Sequence, residues 1–363
     1  MRGVSGPRRH GFILIMVLAM LVVLALLASS VAVISERVRD EQIDRQRQFQ
    51  DALDMASTAA TLGYLLTSQR MTFAGLTIDD QIVRTADEEA MAGDDTSKFS
   101  LLPVGNEIRL DGTAYQGIGR ISFAVQDDRG LLGVNWASPA WIARVFDNAG
   151  VPPQARVALA ERLLDYQDAD DLYRINSGER DAYLKAGRPP PSNRALATPL
   201  ELRRVMGWDE ALAAFDDLAI IDTFTVERSP SINVNTAPLR VLRTLTGVDE
   251  ASAQRIIALR TVAALLNISA LGQILGTMPP ESEDLFLYPG STGVIKLWSA
   301  AGGTVRVLHW TLTALDDGSQ PWHIGQPWHI DYEFTLPQSQ HADQPVARPT
   351  QAAVFAESVP APQ

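Results

Sequence analysis

Residues 12–34 carry no charged side chain, and Ser29 and Ser30 are their only polar members. As an α-helix these 23 residues span about 34 Å, enough to cross a hydrocarbon core of about 30 Å. Arg2, Arg8 and Arg9 precede the run, so the positive-inside rule keeps the N-terminus in the cytoplasm and sends the rest of the chain outward. Three readings fit such a stretch. It is a secretory signal cut near Ser30-Val31-Ala32, a plain signal anchor, or a short basic leader ending at Gly11 and cut before Phe12, in the manner of prepilins. The sequence that follows favours the last. Residues 35–66 have no proline and only one glycine, Gly63, and are rich in good helix formers. Val38, Ile43, Phe49, Leu53, Ala56, Ala60, Leu62 and Leu66 fall at loosely helical spacing, so the apolar and amphipathic runs read as one helix of about 55 residues. A cleaved signal is normally followed by a break, and here there is none.

The formal charge of −12 becomes −15 once Arg2, Arg8 and Arg9 leave with the leader. So acidic a domain repels nucleic acid and anionic lipid. The absence of cysteine excludes disulfides and thiolate metal sites.

Beyond the helix the pattern changes twice. Residues 107–110 and 119–125 alternate as half-buried strands do, and so do 293–299, 304–314 and 328–336. Between them, 131–275 reads as short helices over 139–146, 153–166, 198–206, 209–215, 238–245, 249–259 and 269–275, several opened by a cap residue and proline. This insert repeats itself. Val134-Asn135, a helix, Gly150-Val151 and a second helix are echoed by Val234-Asn235, a helix, Gly247-Val248 and a second helix. The unit resembles helix-hairpin-helix DNA modules, but phosphate neutralisation dominates DNA affinity, and the charge balance favours a packing motif. The expected segments are a leader (1–11), membrane and amphipathic halves of one helix (12–34 and 35–68), a head (69–130 and 276–336), the helical insert (131–275) and a disordered Pro/Ala-rich tail (337–363).

The densest acidic cluster is Asp165-Tyr166-Gln167-Asp168-Ala169-Asp170-Asp171, followed by Ser177-Gly178-Glu179-Arg180-Asp181. Hard oxygen ligands at this density suit Ca²⁺, although the register is not that of an EF-hand. The alternative is a solvated acidic loop with Arg174 and Arg180 as counter-ions. His323 and His329 sit in a duplicated Gln-Pro-Trp-His-Ile, where packing outweighs zinc. No triad, Gly-x-Ser-x-Gly motif or phosphate-binding glycine loop occurs, and nothing points to an enzyme.

Together the leader, the long helix, the acidic motif, Ser192-Asn193-Arg194 to Glu201-Leu202, and Ile232-Asn233-Val234-Asn235-Thr236-Ala237-Pro238 resemble the K-type minor pseudopilin of the type II (general) secretion pathway over residues 8–335. The resemblance implies an α+β fold: a pilin-like long N-terminal helix and antiparallel sheet, with the helical insert. It implies an inner-membrane, single-pass subunit with a periplasmic head, cut by prepilin peptidase after Gly11 and methylated on Phe12. It implies I-type and J-type minor pseudopilins and the major pseudopilin as partners, no nucleic acid, and a place at the pseudopilus tip that starts assembly and export of folded proteins. It also implies calcium in the insert, carried here onto Asp168, Asp170, Asp171 and Glu179. Tyr166 and Ala182 stand where the family favours aromatics, which concerns packing more than ligation. Major pseudopilins carry Glu five residues into the mature chain, where it neutralises a neighbour's amine; Met16 occupies that place here, as suits a subunit with no such neighbour. The rival readings are a membrane-anchored DNA receptor and a secreted calcium-binding protein.

Overall fold

The computed structural model describes residues 10–79, 101–136, 138–176, 178–228, 230–299, 303–312, 329–336 and 355. Most of the leader, the acidic stretch 85–98, His323 and all of the tail but Phe355 lie outside them. The chain divides into two units, Met1–Leu53 and Asp54–Gln363.

Helix α1 runs His10–Ser68. In the first unit its apolar side chains, Ile13 through Ile34, are exposed, and its mean hydropathy reaches 2.9, which suits lipid as their solvent. Past Ile34 the exposed face carries i,i+4 pairs such as Glu41–Arg45 (2.7 Å), as a helix in water does.

In the second unit the last turns of α1 are amphipathic. Leu62, Leu65 and Leu66 are buried against Ile108, Tyr115, Ile121, Phe123, Ile295 and Trp310 on one face of a sheet. Two short strands, β1 (Met71–Thr72) and β2 (Gly75–Leu76), form a small hairpin. The sheet is built from β3 (Asp111–Gln116), β4 (Ile121–Asp127) and, after the insert, three more strands. Sequence alternation places the first strand at 107–110, but among the described residues that stretch makes a single bridge, Ile108 to Leu76, and one backbone bond in which the Leu110 carbonyl accepts from the Asp127 N–H. Gly112 (φ +80°) lies at a register shift inside β3 and lets the strand continue.

The insert contains β5 (Leu132–Gly133), α2 (Pro139–Asn148), α3 (Pro153–Gln167), α4 (Arg180–Lys185), a 3₁₀ turn (Pro199–Arg204), α5 (Trp208–Ala211) and α6 (Asp217–Ile221). It continues with β6 (Phe224–Thr225), β7 (Ile232–Asn233), α7 (Leu239–Leu242), α8 (Glu250–Val262), α9 (Ile268–Leu275) and β8 (Leu285–Phe286). Strands β9 (Thr292–Ser299), β10 (Gly303–Thr311) and β11 (His329–Leu336) then complete an antiparallel sheet of order β11-β10-β9-β4-β3. The fold is α+β, as expected: a long N-terminal helix, an antiparallel sheet and a helical insert. The sheet's second face, with Ala124, Val294, Trp298 and Val305, packs on Ile221 and Leu218 of α6. The insert has its own core around Trp208, whose indole N–H donates to the Leu159 carbonyl (2.9 Å) and whose ring meets Phe146 edge-on.

The repeat is physical. Gly150 and Gly247 adopt the same left-handed conformation (φ +80° and +78°) with open space where a side chain would sit, so conformation alone calls for glycine. The Asn of each copy performs the same task. Asn135 donates to the Leu196 and Val226 carbonyls and accepts from the Leu196 N–H. Asn235 donates to the Leu265 and Leu287 carbonyls and accepts from the Leu265 N–H. In the first hairpin the Gly150 and Val151 amides donate back to the Asp147 and Phe146 carbonyls. The copies meet where Asn148 donates to the Arg243 carbonyl (3.1 Å) and Arg144 to the Thr244 carbonyl (2.5 Å).

A buried carboxylate joins sheet and insert. Asp127, fully buried at the end of β4, accepts from Asn233 Nδ2 (2.9 Å) and the Thr236 hydroxyl (2.7 Å), and from the backbone amides of Gly290 (2.8 Å) and Arg129 (3.1 Å). Burial raises its carboxyl above the ordinary range even against these four donors. Nearby Gly130 packs so closely that a Cβ would lie 2.6 Å from Thr236 Oγ1. Arg260 of α8, also buried, donates to the Val234 and Ala237 carbonyls (2.7 Å each) and lies 3.5 Å from Asp111 of β3. The Ile232–Pro238 motif is thus the seam on which both groups converge. Phe355, from the stretch read as tail, is buried with its ring 5.0 Å from that of Phe123.

Candidate metal centre

Leu159, Leu163 and Tyr166 form the buried stripe of α3, and Asp165 lies beside that stripe with its side chain sealed from solvent. A carboxylate there must find partners. The helix ends as Asp168 N–H donates to the Leu164 carbonyl, which turns the Asp168 side chain back toward Asp165. The chain then crosses an exposed loop, and Glu179, just ahead of α4, returns to the same place. Asp165, Asp168 and Glu179 each bring an oxygen within 4.8 Å of the others. Two oxygens on one Ca²⁺, at 2.3–2.6 Å each, lie up to about 5 Å apart, so the spacing suits a shared hard cation.

The electrostatics are uneven. Arg174 reaches back from the loop: its Nη1 pairs with both Asp165 and Asp168, and its Nε lies 3.9 Å from Glu161. Glu179 is 1% exposed, and neither of its carboxylate oxygens has a hydrogen-bond donor. Asp168 Oδ1 is likewise buried without one. Burial, reinforced by Asp165 and Asp168, pushes the Glu179 carboxyl up to about 7. The chain's own cation therefore serves two carboxylates and leaves the third without compensation. The donor set, all oxygen and net anionic, fits calcium.

Asp170 and Asp171, also in the implied ligand set, lie outside this group of three. Asp170 accepts from the Leu172 amide (2.8 Å), Asp171 from Asn193 Nδ2 (3.4 Å), and both are exposed. Asp165, which the resemblance did not include, is the third member of the group. Its signal was its place against an apolar stripe, where an unpartnered acid is costly. The distant motifs close around the cluster. Asn193, in the left-handed region (φ +48°), donates its N–H to the Tyr166 carbonyl, and the Tyr166 hydroxyl donates to Glu201 (3.1 Å). The Tyr183 hydroxyl accepts from the Met206 amide (2.8 Å), and burial pushes its phenol up to about 12.

Residues 125–215 match the family model described as "Type II secretion system (T2SS), protein K". Over those residues, about a quarter of its length, the chain is similar to that family. The segment holds the whole acidic centre, Arg174, and the Ser192–Leu202 motif, so the family expected from those motifs is the family matched. The chain is also similar to one chain of the GspK-GspI-GspJ complex from the enterotoxigenic Escherichia coli type 2 secretion system. That likeness is 14% in identity with a TM-score of 0.47, over 83% of this chain and 99% of that one. No curated protein matches the chain.

Proposed function

We propose that this protein is a minor pseudopilin of type II secretion, placed at the pseudopilus tip with I-type and J-type partners. What carries the reading is a protein K segment that follows a helix apolar and long enough to span a membrane. In this account the leader is removed after Gly11, and Phe12 becomes the methylated N-terminus in the inner membrane. The head is periplasmic, and the role is assembly, not catalysis. Val38, Phe49 and Leu53, exposed on α1, pack against partner helices. Met16, where a shaft subunit needs a carboxylate, suits a subunit with none above it. The two hairpins serve packing: in the first, the loop amides are spent on its own carbonyls, and Arg156 and Arg243 are engaged by Asp147 and Glu250 instead of standing free for phosphate.

Asp165, Asp168 and Glu179 hold calcium in this account. When bound, the ion neutralises three converging carboxylates and fastens the end of α3 to the start of α4.

The test of the assembly role is site-specific crosslinking from α1. A photoreactive residue at Phe49 is expected to trap I-type and J-type pseudopilins. Capture of the major pseudopilin along the whole filament, with neither minor partner, overturns the tip placement.

A further inference from the structure

The loop that supplies Arg174 also displays Leu172, Tyr173 and Ile175, which are 74%, 59% and 85% exposed. Its backbone is held by the Leu172 amide on Asp170 and by the Arg174 amide at 3.4 Å from Asp165 Oδ2. The Arg174 guanidinium anchors it on Asp165 and Asp168. These are two of the three carboxylates that would share an ion, and a cation drawing on them must take oxygen lone pairs that Arg174 now uses. Glu179, buried with both oxygens without a donor, shows that the arginine does not complete the site.

We propose that Arg174 is a built-in competitor for the cation site, so that an ion binding Asp165, Asp168 and Glu179 expels the guanidinium and releases the apolar Leu172–Ile175 loop. The inference rests on the calcium reading above and adds two consequences. The first concerns affinity. The chain's own charge must be displaced, which weakens binding and makes the site respond to high, extracytoplasmic calcium. The second concerns the surface. A loop with three large apolar side chains is held while the site is metal-free and is set loose when the ion arrives.

The experiment measures Ca²⁺ binding calorimetrically on the full chain in detergent, with Arg174→Gln and Arg174→Lys beside the unmodified protein. Removing a competing charge within a few ångströms is expected to tighten Ca²⁺ binding roughly 10- to 100-fold in Arg174→Gln. Arg174→Lys keeps the charge and should stay within about 3-fold of the original, since lysine also competes, though without the guanidinium fork. Hydrogen exchange provides a second readout: calcium should speed exchange over 172–176 while slowing it over 165–168 in the unmodified protein. Equal or weaker binding by Arg174→Gln, or a loop whose exchange ignores calcium, overturns the competitor while leaving the calcium site standing. Failure of all three proteins to bind Ca²⁺ overturns both readings together.

Discussion

Replacing Asp127 by alanine is expected to remove about 3–5 kcal/mol of folding stability, measured by urea unfolding of the full chain in detergent. The change strands four donors at once: Asn233 Nδ2, the Thr236 hydroxyl, and the Gly290 and Arg129 amides. They come from three stretches far apart in sequence, so the loss reaches both the sheet and the insert. Asp127→Asn keeps the shape but turns an amide N–H₂ toward one pair of donors, and about half the loss is expected. Water reaching the site would lessen both effects, but the carboxylate is fully buried. A change below about 1 kcal/mol in Asp127→Ala would mean that the clasp is not what joins these segments.

The second large effect is a pH dependence that calcium cancels. The folded Glu179 carboxyl titrates near 7, above its ordinary value of 4.5. A carboxyl raised on folding supports the fold while protonated, with its contribution complete below about pH 4.5 and lost as pH rises through 7. Metal-free protein should therefore lose about 2–3 kcal/mol across that window relative to Glu179→Gln, which cannot ionise. At pH 7, calcium at one hundred times its dissociation constant restores about 2.7 kcal/mol to the unmodified protein and little to the variant. Thermal melts of both proteins at pH 5 and pH 7, with calcium and with chelator, give the comparison. Parallel curves for the two proteins would contradict the account.

Local chemistry was legible in the chain. The helices read at 139–146 and 249–259 lie where sequence placed them, as α2 and α8, whereas the starts read at Thr198-Pro199 and Thr236-Ala237-Pro238 have no side-chain cap bond. Both copies of the Asn-turn repeat could be read from spacing, because each depends on a few neighbouring residues. Arg174 could be named as a counter-ion because it lies inside the acidic run. What could not be read depends on distant partners. Asp127 meets Asn233, Thr236 and Gly290, and Arg260 meets Asp111, across spans over which no periodicity survives. Helices α4 and α6, of six and five residues, are too short to display a helical period. Phe355 is one aromatic in a Pro/Ala-rich background, and only the packed ring reveals its use.

The account as a whole stands on a trimmed leader and a retained apolar helix. Mass spectrometry of the N-terminal peptide, from protein purified out of its native membrane, tests this most directly. The expected peptide begins at Phe12 and carries one added methyl group. A mature chain that begins at Met1, or past the apolar run near Val33, would contradict the pseudopilin reading.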